Sequence, residues 1–305
     1  MQQYEVVIIG GGPAGLTAGL YTSRYGLNTL LIERGMYGGQ IINASKVENY
    51  PGFPQGISGI DLGQIFFEQA TRFGLKTFTS EVTGFKISDD QFIISTYEDE
   101  FSARSVIIAS GSNYRKLNVP GEEKLVGRGV SYCATCDGFL FKQKDVAVIG
   151  GGDTAITDAL ELSQHCHKVY VIHRRNELRA AQVLQRAAMS IPNIEFVWNS
   201  IVWKIEGEER VSCLQIRNIK TDEIIELGVE GVFIAVGFIP NSELFKKFVN
   251  IDEMGNIITD DLMRTSVPGI FAAGDIRRNS ARQVATAVGD GATAGKSIFS
   301  FLKSG

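Results

Sequence analysis

What the sequence lacks already narrows what the chain can be. No apolar run approaches the roughly 18 consecutive residues that a membrane-spanning helix needs, so a role within the bilayer is not expected. Cysteine is scarce, 4 in 305 residues, which is not the dense disulfide framework of a small secreted domain. Positive charge is not in excess: 30 Lys and Arg stand against 34 Asp and Glu. The net charge of −4 and a pI near 5.6 argue against a general nucleic-acid binder. The amino terminus enters an apolar stretch at once, leaving no room for a secretory signal, so a cytoplasmic enzyme is expected. With 44% hydrophobic residues the composition is that of a packed protein, and 305 residues exceed one ordinary core, so two domains are expected.

Residues 4–9 (Tyr-Glu-Val-Val-Ile-Ile) have the apolar, β-branched pattern of a buried parallel strand. Gly10-Gly11-Gly12-Pro13-Ala14-Gly15 follows and fits G-x-G-x-x-G. A helix over 16–24 and a strand over 29–32 complete a strand–turn–helix–strand unit ending at Glu33. The glycines let the backbone approach a pyrophosphate, and the helix N terminus supplies N–H groups and positive dipole. Glu33 stands 23 positions after Gly10, where a carboxylate can hold ribose hydroxyls. The glycines alone would fit a structural turn equally well; in this context they predict dinucleotide binding. Residues 35–59 read as a long, functional loop carrying Gly38-Gly39-Gln40 and Asn49. Asp61 is the expected N-cap of a helix to about residue 73. Short alternating segments at 76–78, 82–88, 92–97 and 101–103 suggest a small antiparallel sheet, and 105–109 a buried strand closed by Ser110-Gly111.

Residues 113–129 carry turn signals and read as a linker. Then comes Cys133-Ala134-Thr135-Cys136-Asp137-Gly138. Two cysteines at this spacing can close into a small ring whose sulfurs exchange readily, and Asp137 can donate or accept a proton beside them. A CxxC can also be half of a zinc site, here completed by Cys166 with His165 or His167. What favours redox chemistry is its place between two copies of one fingerprint. Adding 140 to each position from Val6 to Glu33 lands on Val146 to His173, with Gly150-Gly151-Gly152-Asp153-Thr154-Ala155 on the first motif. Glu33 falls on His173, followed by Arg174, Arg175 and Arg179. Guanidinium groups bind a 2′-phosphate that a carboxylate would repel, so the first copy suits FAD and the second NADPH. A solvated basic patch is the plainer reading of the arginines. Strands around a hairpin near 220–223, a second linker at Pro240-Asn241, a strand over 269–275 and a last helix behind Arg282-Gln283 complete the chain. The first domain is therefore expected to be discontinuous, with the second inserted into it.

Together these motifs resemble bacterial-type, low-molecular-weight thioredoxin reductase over essentially the whole chain. The resemblance implies an α/β fold of two Rossmann-like domains: a FAD domain over 1–115 and 241–305, and an inserted NADPH domain with the CxxC over 116–240. It implies a homodimer, with thioredoxin as the protein substrate and neither nucleic acid nor membrane as partner. Electrons would pass from NADPH to flavin, to Cys133–Cys136, to thioredoxin, with Cys136 facing the flavin, Cys133 attacking the partner and Asp137 as acid. The implied cofactor-binding residues are Gly10, Gly12, Pro13, Ala14, Gly15, Glu33, Arg34, Gly38, Gly39, Gln40, Asn49, Val82, Ala109, Gly111, Asp275, Arg282, Gln283 and Val284, with Gly150, Gly152, Asp153, Thr154, Ala155, His173, Arg174, Arg175 and Arg179 in the second copy. No metal is implied. Departures are small: Asp158 stands where the family commonly has Glu, and Ser110 where Thr is usual. The inserted domain is expected to rotate during turnover about crossings near 115–119 and 238–241. Rival readings are a related flavoprotein reducing a peroxiredoxin or other thioredoxin-like protein, and a non-enzymatic NADPH sensor.

Overall fold

The computed structural model describes residues 1–44, 46–88 and 91–304. Ser45, inside the expected loop at 35–59, and Gly305, at the end of the expected last domain segment, lie outside the described residues. The chain forms two compact units, Met1–Asn113 with Ile239–Gly305, and Tyr114–Phe238.

In unit 1, β1 (Gln2–Ile9) leads through Gly10–Gly12 into α1 (Pro13–Arg24) and β2 (Thr29–Glu33). After a 3-10 turn at Gly39–Asn43 come α2 (Gly59–Thr71), β3 (Lys76–Thr79), β4 (Val82–Ser88), β5 (Gln91–Thr96), β6 (Glu100–Ile108) and β7 (Ser112–Tyr114). One sheet runs β3-β2-β1-β6-β5-β4. Its β3, β2, β1 and β6 are parallel, while β5 adds antiparallel to the first half of β6 and β4 antiparallel to β5. Of the expected small antiparallel sheet, the segments at 82–88, 92–97 and 101–103 are thus a branch of the main sheet, while the segment at 76–78 pairs parallel with β2 at the opposite edge. The segments at 101–103 and 105–109 are one strand, β6, with the exposed Arg104 in its middle. The expected cap also moves. Ser58, not Asp61, caps α2: its Oγ accepts from the Asp61 N–H at 3.1 Å and donates to Asp61 Oδ2 at 2.6 Å.

Unit 2 continues with α3 (Glu122–Leu125), β8 (Val130–Ser131), α4 (Ala134–Asp137), β9 (Asp145–Ile149), α5 (Asp153–Ser163), β10 (Lys168–Ile172), α6 (Gln182–Met189) and β11 (Ile194–Val197). An antiparallel sheet of β12 (Ser200–Glu206), β13 (Cys213–Asn218) and β14 (Ile224–Gly228) precedes β15 (Gly231–Ile234). The parallel sheet runs β11-β10-β9-β15-β8. The duplication is exact in register: Val6 pairs with Thr29 and Ile9 with Ile32, as Val146 pairs with Val169 and Ile149 with Ile172. The chain leaves through β16 (Phe238–Pro240), which pairs with β7, so entry and exit form one two-stranded ribbon. Residues 114–129, read as part of a linker, instead belong to unit 2.

Back in unit 1, β17 (Ile270–Ala272) pairs with the second half of β6, and α7 (Val284–Ser304) packs on α1. Glycines make that helix crossing close: a Cβ on Gly291 would lie 2.2 Å from the Ala14 carbonyl oxygen, and one on Gly295 2.7 Å from Tyr21 Cβ. Among the described residues no helix is long and apolar enough to cross a membrane.

Candidate functional site

In unit 1 the first fingerprint is shaped by what its backbone must approach. Gly10 has φ 109°, and a Cβ there would meet the Ala109 carbonyl oxygen at 2.3 Å, so only glycine fits. Pro13 begins α1 behind the N-cap Gly12, and no side chain caps this helix end. Glu33 closes the loop: Oε2 accepts from the Gly11 N–H at 2.6 Å and Oε1 from the Gly35 N–H at 2.9 Å. Each carboxylate oxygen retains a further acceptor site. The Gly38 N–H donates to Gly11 O at 2.8 Å, and a Cβ on Gly39 would lie 3.0 Å from Gly12 Cα, so the loop backbone runs against the fingerprint. Gln40 Nε2 donates to Asn113 Oδ1 at 3.1 Å, and Asn49 Nδ2 to Gln283 Oε1 at 3.1 Å, just before Val284 opens α7. Asp275 follows β17; burial pushes its carboxyl up, and Ser280 Oγ donates to Oδ1 at 3.1 Å. Arg282, at φ 53°, donates its N–H to the same Ser280 Oγ at 3.1 Å. Ala109 and Gly111 follow β6, and Arg34 is exposed. Val82 opens β4 and packs on the core that also takes Ile9 and Ile32. An uncapped helix N terminus, a slot lined by glycine backbone and a carboxylate with spare acceptors together fit the pyrophosphate and ribose of FAD.

Unit 2 repeats the scaffold with other chemistry. Gly152 is the N-cap of α5, again without a side-chain cap. Ala155, the last motif position, is fully buried against Gly150, while Thr154 is exposed. Asp153 Oδ1 accepts from the Ala181 N–H at 2.7 Å, and Gly151 O accepts from the Arg179 N–H at 2.7 Å, so the 179–181 segment is tied to the fingerprint. His173 is 5% exposed, with its ring against Gly151. Burial, followed by the charges of Arg179, Arg175 and Arg174, lowers its pKa, and its Nε2 has no hydrogen-bond partner among the described residues. Arg174, Arg175 and Arg179 are exposed, and among the described residues no carboxylate forms an ion pair with them. This donor set fits the 2′-phosphate of NADPH.

The redox segment starts where β8 ends. Cys133 and Cys136 are joined in a disulfide, both half-buried around the single turn of α4. Ser131 Oγ donates to Asp137 Oδ2 at 2.6 Å and accepts from the Cys133 N–H at 3.1 Å. Burial pushes the Asp137 carboxyl up, against the opposing Ser131 hydrogen bond. Behind α4, Thr135 Oγ1 donates to Glu161 Oε2 at 2.9 Å, and Asp158 is pushed up to about 7 by burial and then by the Glu161 charge.

Glu122, which no motif in the sequence marks, is 1% exposed. Its Oε1 accepts from the Leu117 N–H at 3.0 Å and Tyr132 Oη at 2.8 Å; its Oε2 accepts from the Asn118 N–H at 2.7 Å and the Val119 N–H at 3.4 Å. Tyr132 stacks on Tyr114 at 4.9 Å, and Tyr114 meets Phe238 at 5.2 Å. Residues 117–119, expected to flex, are thus pinned by a buried carboxylate next to the redox segment. The zinc reading finds no support in this arrangement. Cys133 and Cys136 bond each other, and burial with the Asp145 charge pushes the Cys166 thiol up to about 11. His167 Nδ1 lies 2.6 Å from Asp145 Oδ1, and no group of three or more metal-ligating side chains is assembled among the described residues.

Residues 4–291 match the family described as pyridine nucleotide-disulphide oxidoreductase. The chain is 44% identical over 301 residues to the thioredoxin reductase of Bacillus subtilis, covering 98% of this chain and 95% of that one. It is 45% identical over 307 residues to that of Helicobacter pylori, covering 98% and 99%. Among solved structures, thioredoxin reductase from Streptococcus pyogenes superposes with a TM-score of 0.95 at 44% identity, covering 99% of both chains. The Lactococcus lactis thioredoxin reductase in its FR conformation gives 0.69 at 45% identity and the same coverage. With two Rossmann-like units and a redox disulfide already in place, these likenesses show that the chain belongs to the pyridine nucleotide-disulphide oxidoreductases and, within them, to the thioredoxin reductases, NADPH-dependent flavoprotein enzymes that use FAD.

Proposed function

We propose that each fingerprint serves one cofactor, FAD in unit 1 and NADPH in unit 2, and that Cys133 and Cys136 carry electrons between the flavin and the disulfide of a thioredoxin. The observation that most supports this is the asymmetry of the duplication. Register for register, the same scaffold ends in Glu33 in one copy and in buried His173, followed by the exposed Arg174, Arg175 and Arg179, in the other. When bound, FAD mediates between a hydride donor and a dithiol. Reducing the Cys133–Cys136 bond takes two electrons and two protons. Asp137, oriented by Ser131 and raised by burial, is placed to hold and deliver a proton in that step. The Cys133 thiolate then attacks the thioredoxin disulfide, forming a mixed disulfide and releasing one thioredoxin thiolate. Cys136 attacks the Cys133 sulfur, releasing the second thiolate and restoring the internal disulfide.

The dithiol and the NADPH fingerprint both belong to unit 2, and both must reach one flavin, so the reading includes a turn of unit 2 during each cycle. The chain is further read as a cytoplasmic homodimer, which sedimentation equilibrium tests. The central experiment is NADPH-driven reduction of thioredoxin by the purified holoprotein. Cys133→Ser should leave Cys136 as a thiolate beside the oxidised flavin and give a long-wavelength absorption band. Asp137→Asn should slow turnover roughly 10²-fold. Absence of thioredoxin reduction would overturn the reading, and the band appearing in Cys136→Ser instead would reverse the two cysteine roles.

A further inference from the structure

The turn after β17 is held at both ends by one carboxylate that none of the recognised motifs contains. Asp290, in α7, is 6% exposed. Its Oδ2 accepts from the Gly274 N–H at 3.0 Å and from Arg277 Nε at 2.5 Å, and its Oδ1 accepts from Arg277 Nη2 at 2.7 Å. The Arg277 N–H returns to Gly274 O at 3.1 Å. Asp275 lies inside this bracket, next to Gly274 in its left-handed conformation, φ 79°. The bracket also sits against the first fingerprint: a Cβ on Gly274 would meet Ala14 Cβ at 2.9 Å, and Gly291, the neighbour of Asp290, touches the Ala14 carbonyl. On one side, β17 is fixed to β6, with the Ala273 N–H on Ile108 O at 3.0 Å. On the other, α7 is fixed to α1 through glycine contacts. The turn between them is joined to α7 by the Arg277–Asp290 pair.

We propose that Arg277 and Asp290 are positioning residues for FAD: their bidentate pair fixes the Gly274–Arg277 turn, and through it the Asp275 carboxylate, relative to the N terminus of α1. This rests on the reading that unit 1 holds FAD. A bidentate guanidinium–carboxylate pair is rigid as well as strong, and breaking it leaves a partly buried charge unmatched. Asp290→Asn keeps an oxygen for the Gly274 N–H but neither neutralises Arg277 nor accepts from both of its nitrogens. Arg277→Gln leaves the Gly274 bond intact.

The test is FAD release from diluted holoenzyme, followed by the return of free-flavin fluorescence, together with the visible spectrum of the flavin still bound, the KM for NADPH and the melting temperature. The expected order of FAD Kd is Asp290→Asn above Arg277→Gln above wild type. The first should rise roughly 10- to 100-fold, the scale of one or two lost charge-assisted hydrogen bonds. The bound-flavin spectrum should shift, and the KM for NADPH should stay unchanged. A merely structural pair would lower the melting temperature while leaving Kd and spectrum at wild-type values, and that result overturns the proposal. Should both variants fail to fold, Arg277→Lys decides: it keeps the charge without the fork, and wild-type FAD retention there also overturns it. Wild-type protein that holds no FAD would instead refute the assignment of unit 1.

Discussion

Replacing Glu122 by Gln removes one charge and almost no volume, yet it should destabilise unit 2 by about 1–3 kcal/mol. The carboxylate presents an acceptor on both edges, each facing two donors. A carboxamide presents one oxygen and one NH₂. Whichever way it turns, one edge sets donor against donor. If the NH₂ faces Asn118, a short bond at 2.7 Å and a long one at 3.4 Å are lost; if it faces Tyr132, the hydroxyl can turn to accept, but the Leu117 N–H loses its 3.0 Å bond. Bonds to a charged acceptor are worth about 1.5–3 kcal/mol each, and the lower desolvation cost of a neutral amide offsets part of the loss. Tyr132→Phe, which keeps the stack on Tyr114 and the three backbone donors, should cost less, about 1.5 kcal/mol. The double variant should fall short of the sum of the two, because both change the same contact. Urea unfolding by far-UV circular dichroism measures the stability, and hydrogen exchange at the 117–119 amides localises the effect. Glu122→Gln stability within about 0.5 kcal/mol of wild type, the scatter of ordinary surface changes, or strictly additive losses would refute this account of the network.

The pH dependence of stability should carry the signature of Asp158. Its carboxyl is pushed from 3.8 to about 7, so between those values the folded chain holds a proton that the unfolded chain has released. Stability contributed by this group therefore falls as pH rises from about 4 to about 7. Asp158→Asn should be about 1–3 kcal/mol more stable than wild type at pH 8, allowing for solvent screening, with the gain vanishing near pH 4. Unfolding curves of both proteins across that range check it, and a pH-independent difference would count against it. In steady-state kinetics, neutralising Arg174 and Arg175 together should raise the KM for NADPH by at least roughly 10-fold while leaving NADH little changed. Equal use of the two nucleotides by wild type would contradict the assignment of unit 2.

Much of this architecture is legible in the sequence because its signals are local. A β-branched run, a glycine turn and an amphipathic helix specify β1–α1–β2 within 33 residues, and the copy at Val146 repeats them. The redox pair and the switch from Glu33 to His173 and its arginines are visible for the same reason. What escaped depends on distant partners. Strand β3 looks like any short alternating segment, and its parallel pairing with β2 is a long-range choice. The exposed Arg104 interrupts the apolar pattern of β6 and makes one strand read as two. Glu122 and Asp290 look like ordinary surface acids, since nothing nearby in sequence shows that one meets Tyr132 and the other Arg277. Ser58 is a different case: Ser-x-x-Asp is present as a capping signal, and the acid in the first turn mimics the cap that Ser58 provides.

The discontinuity of unit 1 also dictates an order of folding. Unit 2 is one continuous segment, Tyr114–Phe238, that begins and ends on paired strands, so it can complete itself as soon as it is made. Unit 1 cannot. Until β17 and α7 have been synthesised, the Val106–Ile108 stretch of β6 lacks a neighbour and the small-residue face of α1 lacks its partner. At ribosomal speed that wait is on the order of ten seconds. During it, an open strand edge and an apolar helix face are available to other chains. The finished protein keeps a trace of this dependence. If unit 2 unfolds, the tight ribbon joining the halves of unit 1 becomes a loop of more than a hundred residues, whose closure costs about 4 kcal/mol. Damage to the buried Glu122 network would then be felt as weakened retention of the cofactor assigned to the other unit.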